Sequence, residues 1–281
     1  MHRVVLKKIF TGLVYLFAVI GFVLVAGYFA VRLGLTNTSG IIDLQREAFL
    51  GPSSSASVAS SEPPGTPWQE TEEWQVLAVA ITNDQSAINK AATASGVPAR
   101  LIVANLMTEQ LRLFFTEREF YKQFFFPLKI LGSQTQFSWG VMGMKEDTAV
   151  QVENNLKNPA SPYYIGEQYA HLLDFSATST TAIPQQRFAR MTDQHDHYWS
   201  YLYSGVYMKE VEVEWARASF PIDNRPGIVS TLFNIGFAHS VPNAEPQVGG
   251  AAIDLLGTTY SFGGLAADFY NSNELLDLFP R

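Results

Sequence analysis

The hydrophobic pattern divides the chain into three parts. The first is the uncharged apolar run from Ile9 to Val31, 23 residues long. At about 1.5 Å per residue, a helix of that length crosses the hydrocarbon core of a bilayer. Arg3, Lys7 and Lys8 precede it. That predicts a single-pass anchor over 1–35 in the cell membrane, N-terminus cytoplasmic and C-terminal domain extracytoplasmic. A cleaved signal peptide is the competing reading, with Val25-Ala26-Gly27 as a small-residue site, but the run is longer than a usual signal core. The pattern then lapses over 36–66, where SSSASVASS and PPGTP predict a flexible, disordered linker. Within it, IIDLQREAFL (41–50) has helical spacing and predicts a short juxtamembrane helix.

From residue 67 to 281 the period is mainly helical, so the fold class is mostly α, in one domain. Pro67-Trp68-Gln69-Glu70 opens a helical segment that continues to a stop at Gly96. Next comes VPARLIVANLMTEQLR (97–112), with Pro98 suited to a first helical turn. Leu101, Ile102, Ala104, Leu106 and Leu113 recur at three- and four-residue spacings, the pattern of a buried helix. Residues 113–131 are aromatic-rich and amphipathic, either a core-facing segment or a lid over a groove for a sugar chain. A polar turn region leads to a helix whose first turn holds Glu146 and Asp147, and Pro162 is expected to begin another, YYIGEQYAHLLDF. SATSTT is a loop; Tyr198 to Phe220 is a long helix stopped by Pro221. Residues 223–227 form a turn, Ile228 to Gly236 a short helix, and the tail carries glycine pairs at 249–250 and 263–264. Strand signals are sparse.

Composition narrows the chemistry. A chain of 281 residues with 47% hydrophobic and 13% aromatic content supports a sizeable core. It contains no cysteine, which excludes disulfides, thiol nucleophiles and Cys-ligated metals. Net charge is −7, and the acidity lies beyond residue 50, where 14 Lys/Arg face 24 Asp/Glu. Such a surface does not suit nucleic acid. No phosphate-binding glycine loop and no GxSxG elbow is present, and no cofactor is implied. Asp193, His195, Asp196 and His197 resemble a metal cluster, but the i,i+2 spacing puts the two histidines on different faces of a helix, so no metal is assigned.

The residue that carries chemistry is Glu109, near the end of the apolar helix. A carboxyl group in such surroundings is poorly solvated, a setting that suits a general acid. The alternative is a pairing with Arg112, one turn later on a solvated edge.

Three motifs in order, spread over 96–236, resemble the catalytic domain of lytic transglycosylases within the lysozyme-like superfamily. The first is GVPARLIVANLMTEQ, with Glu109 in the place of the catalytic glutamate and Gln110 where serine is common. The second is Gly140-Val141-Met142-Gly143-Met144-Lys145-Glu146-Asp147-Thr148-Ala149, set against G-L-M-Q-I-M-P-x-T-A. The third pairs Gly205-Val206-Tyr207-Met208 with Phe233-Asn234-Ile235-Gly236, set against A-x-Y-N-A-G. Gly143 replaces the family's glutamine and Phe233 its tyrosine.

The resemblance implies a lysozyme-like fold and cleavage of the β-1,4 bond between N-acetylmuramic acid and N-acetylglucosamine in peptidoglycan glycan strands. Glu109 would act first as acid and then as base, with Gly140, Met142, Tyr207, Phe233, Asn234 and Gly236 contacting substrate. A turn, a core methionine, a core tyrosine and a helix C-cap explain the same residues without substrate. Hydrolysis needs a second carboxylate, for which Glu117, Glu119, Glu146 and Asp147 are candidates. The competing function is a degenerate lysozyme-like domain that binds wall glycan, or a wall-assembly partner, without cutting. Lying beyond Asn234-Ile235-Gly236, His239 is either a cleft residue or a lone loop histidine.

Overall fold

The computed structural model describes residues 65–115, 138–177 and 179–281, together with 48–50 and the isolated positions 15, 17 and 63. Except for Tyr15 and Phe17, the anchor run 9–31 lies outside the described residues, as do most of the linker and 116–137 with Glu117 and Glu119. Among the described residues no helix is long and apolar enough to cross a membrane. The domain is mostly helical.

The helix that bears Glu109 is the axis of the fold. After α1 (Glu72–Asn83) and α2 (Gln85–Ser95) comes α3 (Ala99–Phe115), in which every residue from Leu101 to Leu111 is buried. A helix enclosed on all sides must be apolar nearly all round, and that is what the LIVANLM run supplies. It packs against α1, α2, the long helix α6 (Tyr198–Arg217), α7 (Pro226–Ile235), β3 (Ala252–Leu255) and α8 (Phe262–Asn271). Each fully buried Leu or Ile on it contributes about 1.5–3 kcal/mol.

Thr71 caps α1 by accepting from Trp74 N at 3.2 Å. The expected continuous helix up to Gly96 is broken at Asp84, whose carboxylate serves α6 instead of a cap: His197 Nδ1 lies 2.6 Å and Tyr201 Oη 2.5 Å from its Oδ2. Gly96 ends α2 at φ 73°, the left-handed conformation a β-carbon would oppose.

β1 (Ser138–Trp139) and β2 (Met144–Lys145) form an antiparallel hairpin that leads into α4 (Glu146–Lys157), with both acids in its first turn as expected. The helix expected after Pro162 does not form: beyond the 3-10 turn Glu167–Tyr169, that stretch is irregular. Arg217 takes the carbonyls of Ser161, Pro162 and Tyr164, Arg190 takes those of Leu173 and Asp174, and Gly166 sits at φ 118°. Tertiary donors have claimed the acceptors a helix would need.

Further elements of the described fold have no counterpart in the sequence reading. α5 (Ala182–Met191) is held by Arg187, whose guanidinium meets Glu153 in two bonds of 2.6 and 2.7 Å. In the tail, β3 pairs with β4 (Thr258–Ser261) across Leu256 and Gly257, both at positive φ. The glycine pair 263–264 opens α8, where Ser261 caps Gly264 N at 3.1 Å. Gly227 and Gly263 bring α7 and α8 together: a β-carbon at Gly227 would stand 3.1 Å from Gly263 O. Residues 48–50 are helical, as expected for the end of the juxtamembrane piece, and Phe49 and Leu50 are buried against the domain's core.

Candidate functional site

Glu109 lies about two-thirds of the way along α3, a helix that the core has enclosed, and only 3% of its surface is exposed. Its carboxylate is not bare. Arg112 Nε stands 3.1 Å from Oε2 and a terminal nitrogen 2.5 Å from Oε1. The pairing with Arg112 is therefore present, but in the interior rather than on a solvated edge, with the guanidinium itself largely buried. A guanidinium fork on both oxygens holds the group in one orientation.

The β1–β2 turn closes over this carboxylate. Gly143 N donates to Gly140 O at 3.1 Å, and both glycines lie in the left-handed region, at φ 65° and 66°. A β-carbon at Gly143 would stand 2.8 Å from Glu109 Cδ and nearer still to Oε1, so only glycine permits the turn to rest on the carboxylate. Gln110 fixes the same turn by donating to Val141 O at 2.5 Å. Glycine at 143 thus has a steric reason.

On the other side of Gly143 opens a cavity of about 120 Å³. One wall is Gly143, Met144, Lys145 and Thr148; the other is Tyr207 from α6 with Phe233, Asn234, Ile235 and Gly236 from the end of α7. Four of the expected substrate residues, Tyr207, Phe233, Asn234 and Gly236, are therefore gathered around one space. Gly140 and Met142 are not in that lining. Gly140 faces α6, where a β-carbon would come within 2.6 Å of Ser200 Oγ, and Met142 is buried with its N–H donating to the same oxygen at 3.3 Å. Both shape the turn from beneath.

The far wall is held rigidly. Tyr207 donates to Leu232 O at 2.9 Å and meets Phe233 edge-on at 5.4 Å; burial pushes its phenol well above the usual range. Asn234 accepts from Ala251 N at 2.8 Å through Oδ1. Gly236, at φ 90°, ends α7 with open space where a side chain would be. Lys145 and Thr148 are polar lining residues outside the expected substrate set, although both stand in the stretch Gly140–Ala149.

No carboxylate lines the cavity among the described residues. Glu146 turns toward Arg187 at 3.7 Å, and burial raises its pKa; Asp147 is exposed. The Asp193–His197 group is dispersed: Asp193 accepts from the N–H of His195 and Asp196, while His197 faces Asp84. His239 is exposed and outside the lining.

Protein-family models, curated proteins and solved structures were compared with the chain, and none matches. The chemistry of the site rests on its own residues. They amount to one buried carboxylate behind a glycine turn, a small cavity beside it, and hydrogen-bond donors on both walls.

Proposed function

We propose that this chain is a lytic transglycosylase of lysozyme-like type, acting on peptidoglycan and held at the membrane by the 9–31 run with its domain extracytoplasmic. The observation that carries the reading is that Gly143, whose backbone rests against the Glu109 carboxylate, lines the same cavity as Tyr207, Phe233, Asn234 and Gly236. Proximity of these groups is what the motifs' order alone would require of a working site.

In this reaction Glu109 gives its proton to the glycosidic oxygen as the bond to C1 of the muramoyl residue breaks. The carboxylate then takes the proton from the C6 hydroxyl of that residue as the oxygen closes on C1. The products are a 1,6-anhydro end and a free N-acetylglucosamine end. A single carboxylate suffices because the nucleophile belongs to the substrate, a proximity advantage that replaces a bound water. Arg112 must leave at least one Glu109 oxygen for the acid to be loaded, and it is placed to stabilise the carboxylate formed after proton transfer.

One observation favours the second reading, a domain that binds glycan without cutting: Arg112 occupies both oxygens of Glu109. The test is incubation of the full-length protein and Glu109→Gln with purified peptidoglycan, followed by mass spectrometry of the soluble fragments. Anhydro-ended fragments absent from the variant are the expected result. Reducing-end products would indicate hydrolysis, and binding without any fragments would leave the glycan-binding reading in its place.

A further inference from the structure

The proposed site leaves one charged residue without a role. Lys145 lines the cavity, its side chain is exposed, and among the described residues no carboxylate lies within ion-pair distance of it. This holds in a chain whose part beyond residue 50 has ten more acids than bases. The two acids that follow it are engaged elsewhere or exposed, Glu146 facing Arg187 and Asp147 facing solvent.

Lys145 also precedes α4, where its charge opposes the positive end of the helix dipole and its side chain supplies no cap. Local rules broken without a structural return are expected where a residue serves a site. The neighbouring lining groups have the same polarity. Asn234, a lining residue, spends its Oδ1 on Ala251 N, and neither its amide N–H groups nor the Thr148 hydroxyl has a hydrogen-bond partner among the described residues. Three residues able to donate, one of them cationic, thus line a space that no carboxylate lines among the described residues.

We infer that Lys145, with Asn234 and Thr148 beside it, selects sugar chains that carry carboxylates, so that the cleft reads the acidic substituent of the muramoyl residue rather than the neutral sugar backbone. This rests on the proposed peptidoglycan reading. Two sources of that carboxylate exist: the free lactyl group of strands stripped of their peptides, and the acidic residues of attached peptide stems. Lys145 is a specificity residue here and takes no part in proton transfer.

The experiment measures anhydro-end release by the full-length wild type, Lys145→Gln and Lys145→Arg on stripped strands and on stem-bearing strands. Binding of neutral N-acetylglucosamine oligomers is followed in parallel. Lys145→Gln is expected to raise KM about tenfold on at least one carboxylate-bearing substrate while kcat changes by less than about twofold. Lys145→Arg restores KM, and oligomer binding is unchanged. The strand type that shows the effect identifies the carboxylate. Unchanged KM on both strand types overturns the inference while the transglycosylase reading stands. If the wild type cuts neither, that reading fails, and co-sedimentation with the same strands decides. Binding weakened in Lys145→Gln upholds the carboxylate preference; equal binding, or none, overturns it.

Discussion

The backbone of Gly143 lies against the carboxylate of Glu109 so closely that a β-carbon there would stand 2.8 Å from Cδ. The turn and the helix therefore constrain each other, and glycine is required twice, by contact and by its φ of 65°.

Gly143→Ala is expected to cost about 1–3 kcal/mol, the sum of left-handed strain and displacement of a packed turn. Anhydro-end release should fall at least about tenfold because the displaced groups include Glu109 and the cavity wall. Thermal melts and the peptidoglycan assay on the same protein check both. Gly143→Gln, which adds a larger side chain at the same place, should be worse.

Glu210 predicts the pH dependence of stability. It is fully buried on α6; Oε2 accepts from Asn155 Nδ2 at 3.0 Å and Oε1 has no partner. Burial pushes its carboxyl well above the usual range, only partly opposed by the Asn155 bond. A raised folded-state pKa means the native state keeps a proton that the unfolded chain loses. The contribution is complete below the unfolded value of about 4.3 and is lost as pH rises through the folded one. Glu212 and Glu214 are raised by burial in the same sense, whereas the lowered Asp174 and Asp193 lie near the surface, where solvent screens them. Denaturant unfolding between about pH 5 and pH 8 should show wild-type stability falling as pH rises. Glu210→Gln should have a flatter profile and gain about 1 kcal/mol or more at the alkaline end.

Arg100 ties the chain end to the central helix. Its guanidinium donates to the carbonyls of Phe269, Tyr270, Ser272, Glu274 and Phe279 at 2.8–3.0 Å, with no exposed surface. Arg100→Ala removes all five bonds, leaving the carbonyls of Phe269, Tyr270 and Ser272 only their donors from Ser272 and Arg281, and should destabilise the domain by about 3–5 kcal/mol. Hydrogen exchange should show the loss of protection concentrated in 269–281, where a general loss of stability would raise exchange throughout.

The buried helix around Glu109 was legible because its apolar residues have no polar face, and the long helix ending before Pro221 was legible because proline cannot continue it. The tail hairpin was hidden in strands of four residues each, too short for alternation to stand out, and joined by a turn with leucine at positive φ. α8 was hidden by its own glycines, which read as breakers but serve close contact with α7.

By itself the sequence determined that the domain is mostly helical and that Glu109 sits on a buried helix, since both depend on periodicity or residue type within a short window. Only the tertiary structure decided that α1 and α2 separate at Asp84, that the stretch after Pro162 stays irregular, and that Arg112 meets Glu109 in the interior. It alone separated Gly140 and Met142 from the residues that line the cavity and brought Lys145 into that lining. The reason is that hydrogen-bond partners and steric neighbours come from positions 30 to 180 residues away, and local pattern carries no record of which distant group arrives.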